Sequence, residues 1–197
     1  MVFNLKLPPI SSLVASLLIV LRRSLLLIFT PYKTMRKISL ETDRFQLVWI
    51  AFFVGLYFHL IGIEKIFIFL ILFLCTFLFI QAVGLSLKKV SRGKSILFTF
   101  GYGLLPTTIW FYLSLALLYL LPPPRTQSLQ GKIFSVLYVS FSLSLLLWKI
   151  ILTYLAIRFS LKLGFYSTII ALVFYILFIM VLSYFGLTLG LSRVPFI

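Results

Sequence analysis

Few residues in this chain have the types needed for chemistry. There are 3 Asp+Glu, one His and one Cys. The carboxylates are Glu41, Asp43 and Glu64, the histidine is His59 and the cysteine is Cys75. One cysteine excludes a disulfide within the chain, and one His with one Cys excludes a His/Cys zinc centre. A two-carboxylate hydrolase site has almost nothing to draw on. A Ser-His-Asp arrangement would need His59 with Glu64, and no nucleophile is indicated. Gly93-Lys94-Ser95 has the ending of a phosphate-binding loop, but the position of its first glycine is Lys88. No metal, cofactor or catalytic residue is expected.

Four features remain inside long apolar runs. Lys149 follows Trp148, about 13 Å along a helix from Arg158. Its stem can snorkel toward the head groups, which is the reading adopted. The alternative is a buried cation that binds an anionic lipid group or a backbone carbonyl. His59 lies near the end of an apolar run and is read as an interfacial or hydrogen-bonded residue, with a proton relay as the alternative. Pro106 follows Gly101 and Gly103, and it removes a backbone bond and crowds the carbonyl of Tyr102. A kink or unwound turn is predicted there, for packing in the simpler case and at a substrate site in the other. Gly186 and Gly190, with Ser183 one turn before, form a small-residue face for close helix packing, within the chain or against a second copy.

The elements that must position these residues follow from composition. Of the 197 residues, 62% are apolar and 11% charged, against about a quarter charged in a soluble domain. Such a chain cannot cover a core with polar surface, so an all-α, polytopic transmembrane bundle is predicted. A span needs about 20 apolar residues. Five runs qualify: 45–63, 66–87, 95–121, 133–157 and 164–191. A sixth, 10–29, carries Arg22 and Arg23, each costing roughly 2.5–3.5 kcal/mol at the centre of a span. On a helical wheel Ser11, Ser12, Ser16, Arg22 and Arg23 share a sector, so this run is read as an interfacial amphipathic helix. A sixth span or a signal anchor is the alternative. The organisation is then a segment 1–44 holding that helix, a membrane domain 45–191 and a short tail 192–197.

The basic residues orient this bundle. The net charge is +15, and segments 1–44, 88–94 and 158–163 hold the majority of the 18 Lys+Arg. With five spans these segments share one side, which places the N-terminus in the cytoplasm and the C-terminus outside. Arg22, Arg23, Lys33, Arg36, Lys37, Lys88, Lys89, Arg92 and Lys94 would then face anionic head groups, if they do more than set topology. Membrane lipid is the expected partner, with other membrane proteins or a second copy of the chain beside it. Nucleic acid is not, because the charges fall where membrane insertion requires them.

Three stretches resemble a known family. Phe29-Thr30-Pro31-Tyr32-Lys33-Thr34-Met35-Arg36-Lys37-Ile38 is similar to a Pro-x-x-Thr entry before a first span. Gly101-Tyr102-Gly103-Leu104-Leu105-Pro106 is similar to an aromatic-x-x-Leu-Pro element in a third span. Leu147-Trp148-Lys149-Ile150 through Ser167 is similar to a Trp-containing fourth span followed by Gly and a polar turn. Together, over residues 15–190, they resemble the Yip domain family of five-span membrane proteins, in its uncharacterised bacterial branch. The resemblance implies a five-helix bundle with a cytoplasmic N-terminus, in a prokaryotic cytoplasmic membrane, and no catalytic residues. The acidic, Gly-Pro-containing N-terminal motif of eukaryotic members is absent, so Rab-type GTPase binding and a Golgi location do not carry over. The function expected is a non-enzymatic organiser of membrane partners or lipid. A small transporter or channel subunit is the second reading, and a membrane-embedded enzyme the third.

Overall fold

The computed structural model describes residues 10–87, 93–120 and 129–189. Lys88, Lys89, Arg92, Gly190 and the expected tail lie outside them. The described residues form eight helices and no strand. They are α1 (Ile10–Phe29), α2 (Pro31–Ile38), α3 (Phe45–Ile61), α4 (Glu64–Ser86), α5 (Gly93–Gly103), α6 (Leu105–Leu120), α7 (Leu129–Leu161) and α8 (Phe165–Thr188). The all-α bundle expected from composition is what the chain adopts.

Five segments are long and apolar enough to cross a membrane: Ser11–Phe29, Glu64–Ser86, Gly93–Leu117, Gly131–Leu161 and Phe165–Thr188. Their outer faces are covered with exposed Leu, Ile, Val and Phe, as an integral membrane protein requires. The set differs in one member from the expected one. The run 45–63 forms a helix of 17 residues because Gly62 turns the chain at φ +144°. At about 26 Å it sits at the short end of the spanning range. Ser11–Phe29 takes the fifth place instead.

The core is built around α5. Ser95, Ile96 and every residue from Phe98 to Gly103 are buried. α5 packs chiefly along α7, and α4, α3 and α2 close the remaining sides. Gly101 permits the approach of α3: a Cβ at this position would stand 3.1 Å from Leu47 Cδ2. Aromatic stacking ties the outer helices. Tyr57 on α3 lies over Phe111 on α6 at 4.2 Å, and Phe79 on α4 over Phe178 on α8 at 4.1 Å.

Leu104 alone separates α5 from α6, two residues before Pro106. Its N–H is shared between the carbonyls of Phe100 and Gly101, both at 3.1 Å, and α6 starts at the next residue. This is the local tightening that a proline two residues later imposes on the turn before it. Gly103 has open space where a side chain would go, so of the two glycines Gly101 serves packing. α7 runs beyond the expected 133–157 at both ends, to 33 residues. It stops where Lys162 takes a left-handed conformation (φ 51°) and the Leu163 N–H reaches back to the Arg158 carbonyl.

Candidate functional site

Two groups of polar side chains stand out against this apolar bundle. The first joins α1 to the bundle. α1 and α2 form an elbow at Thr30–Pro31, where proline lacks the N–H that would continue α1. α2 buries Thr34, Met35 and Ile38 and exposes Lys33, Arg36 and Lys37. Its Tyr32 meets Phe159 of α7 edge-on at 5.0 Å, with the Arg158 guanidinium 5.6 Å from the Tyr32 ring centroid.

Part of the polar sector of α1, Ser16 and Arg23, faces the protein. Ser16 donates to Asp43 Oδ2 at 2.7 Å, and Arg23 donates to Gln46 Oε1 at 2.8 Å and pairs with Glu41. Gln46 is buried at 1% exposure, accepts a second bond from the Tyr102 hydroxyl of α5 at 2.7 Å, and donates to Asp43. Trp49 Nε1 donates to the Leu13 carbonyl at 3.0 Å. Residues 13 to 23 of α1 thus meet residues 41 to 49 through these bonds, and α1 packs against α3. Its outward side carries exposed Val14, Leu18, Leu21, Leu25 and Ile28, with Arg22 also exposed. The interfacial expectation put the polar sector toward water, whereas here Ser16 and Arg23 are taken up by protein groups and Ser11 and Arg22 stay exposed. Burial pushes the Glu41 carboxyl up, but the Thr42 and Asp43 N–H groups and the Arg23 guanidinium outweigh this and hold it below its usual range.

The second group lies on the seam between α6 and α7. Lys149 Nζ donates to Thr107 Oγ1 at 2.6 Å, Trp110 Nε1 donates to Ser142 Oγ at 3.1 Å, and the Ser114 and Tyr138 hydroxyls are bonded at 2.9 Å. The α6 members recur at helical spacing on one face and pair antiparallel with those of α7. Interhelical bonds of this kind contribute about 0.6 kcal/mol each in membrane proteins. Lys149 is 8% exposed and turned inward, so it does not snorkel as expected.

Three cavities meet at Lys149. One of about 300 Å³ lies along the α6–α7 seam, beside Pro106, Thr107 and Trp110. One of about 180 Å³ lies between α7 and α8, beside Leu172 and Ile176. A third, of about 10 Å³, sits at the Gly103–Leu104 break and is bounded by the side chains of Thr76, Thr153 and Tyr175. Nothing in the residue spacing announced that the break and Lys149 would face each other. The proline and the lysine were each visible, and their meeting is a product of the tertiary fold.

The remaining singled-out residues are spread. His59 is exposed in the last turn of α3. Lys94 is exposed at the start of α5. Gly186 is buried within the chain, and the Ser183 hydroxyl is buried without a hydrogen-bond partner. Compared with family models, with curated proteins and with solved structures, the chain matches none.

Proposed function

We propose that the chain is a non-enzymatic, Yip-domain-like integral membrane protein that gathers anionic lipid, and with it membrane partners, at one end of its bundle. The observation that carries this reading is α2. Thr34, Met35 and Ile38 anchor it against α7 and α5, so Lys33, Arg36 and Lys37 are held outward on a fixed support. Lys94 at the start of α5 and Lys162 beyond the end of α7 add to the same end of the bundle. Each such cation attracts an anionic bilayer by about 1 kcal/mol near the surface.

In this reading the basic end is cytoplasmic, the C-terminus is external and the membrane is a prokaryotic cytoplasmic membrane. α3, α4, α5 with α6, α7 and α8 make five crossings. α1 lies at the inner boundary, with its apolar side in hydrocarbon and Arg22 reaching the head groups. The scarcity of acids and bases supports a non-enzymatic role, since general acid–base work needs positioned ionisable groups.

The test is lipid co-purification. Lys33→Gln, Arg36→Gln and Lys37→Gln combined should lower the ratio of anionic to zwitterionic lipid retained on the purified protein at least threefold, with the fold unchanged. An unaltered ratio would sink the reading. A small transporter or channel subunit is the second reading, favoured by the helix break that sets Thr107 against Lys149. Loss of a solute's uptake in both Pro106→Ala and Lys149→Leu would favour it.

A further inference from the structure

We infer that the cavity between α6 and α7 is a binding site for the carboxylate of a single-chain amphiphile, a long-chain fatty acid, with Lys149 as its anchor. The inference concerns the interior of the bundle and stands apart from the basic end discussed above.

Three observations carry it. Lys149 is buried at 8% exposure and lines a cavity of about 300 Å³, at the lower end of the range for small-molecule sites. The cavity reaches the outer face of the bundle, because its wall residues Val139 and Leu143 are 55% and 56% exposed. A ligand dissolved in the hydrocarbon can therefore enter from the side. The other polar side chains on its wall, Trp110, Ser142 and Tyr138, are bonded to one another or to Ser114. Lys149 and the Thr107 hydroxyl stand at one end of the seam, and Val139, Leu143 and Leu146 supply apolar wall.

Charge and shape select the ligand. An ammonium favours an anion, and at this depth the anion must bring its own apolar surface. A carboxylate can accept from both the ammonium and the Thr107 hydroxyl through its two oxygens. A two-chain phospholipid is several times too large for the cavity. A fatty acid meets both conditions with one small charged head.

The test uses the full chain in phosphatidylcholine nanodiscs with diazirine-bearing palmitic acid as the probe. The expected result is saturable labelling of peptides on α6 and α7, displaced by palmitate and not by methyl palmitate. Labelling should fall at least tenfold in Lys149→Met and persist in Lys149→Arg. Leu143→Trp, at an exposed wall position, should block the cavity without touching the lysine. Its labelling should also fall, with an unchanged unfolding temperature, and this keeps the inference testable if Lys149→Met does not fold. Equal displacement by methyl palmitate would overturn the inference. So would undiminished labelling in well-folded Leu143→Trp, or displacement by a lysophospholipid or inorganic phosphate and not by palmitate.

Discussion

Gln46 shows how one side chain can hold three segments together in a chain with so few polar groups. Its amide oxygen accepts from Arg23 of α1 and Tyr102 of α5, and its nitrogen donates to Asp43. Replacing it with Leu keeps the volume and strands the other groups. A buried donor left without a partner costs about 1–3 kcal/mol. Gln46→Leu should therefore destabilise the protein by about 2–3 kcal/mol and Tyr102→Phe by about 1 kcal/mol, read from unfolding in denaturant. Glu41 gives the same cluster a pH dependence. Its folded pKa is depressed below the ordinary 4.5, so its contribution is fully present above that value and is lost as pH falls through the folded pKa. The unfolding temperature of the wild type should drop on acidification below about pH 4.5 more steeply than that of Glu41→Gln. Parallel curves would remove Glu41 from the account. None of this was legible in the sequence. Arg23 and Gln46 were visible as residues, but their pairing depends on α1 folding against α3, and long-range contacts leave no periodic trace.

At the scale of the elements, legibility followed local chemistry. The break before Pro106 was readable because proline acts on its own preceding turn. The fall of Lys149 toward the interior was not, since α7 is apolar around most of its circumference and its rotation is set by its neighbours. The ends of α7 were not legible for a related reason. The apolar run 133–157 was read as the span, whereas the helix continues past it until the backbone turns, here at Lys162. α3 was overestimated because Gly62 and Ile63 extend the apolar run without extending the helix. The break itself can be measured. Spin labels at Lys94 and Tyr119, both exposed, flank it. A straight helix would separate the two positions by about 37 Å. The wild type should give a shorter distance, and Pro106→Ala should lengthen it toward that value. Equal distances in the two proteins would remove the proline as the cause of the break.

At the scale of the molecule, composition dictated the class of structure. A chain with this apolar content and this few charges has an apolar exterior, and the outer faces of the bundle show it. What composition could not supply was the relation of α1 to the rest. Its polar sector was visible, and water was the assumed partner. The structure supplies Asp43, Glu41 and Gln46 instead, and leaves the apolar side of α1 outward. The elbow that follows sets α2 at the end of the bundle and gives the basic residues a rigid mount. The central claim is that this mount faces anionic head groups in the cytoplasmic leaflet. Photo-crosslinking in native membranes tests it most directly, with a benzophenone side chain in place of Lys37. The account predicts adducts enriched in anionic phospholipid, at a ratio to zwitterionic lipid above that of the bulk membrane. Adducts that mirror the bulk lipid composition, or none to lipid at all, would contradict it.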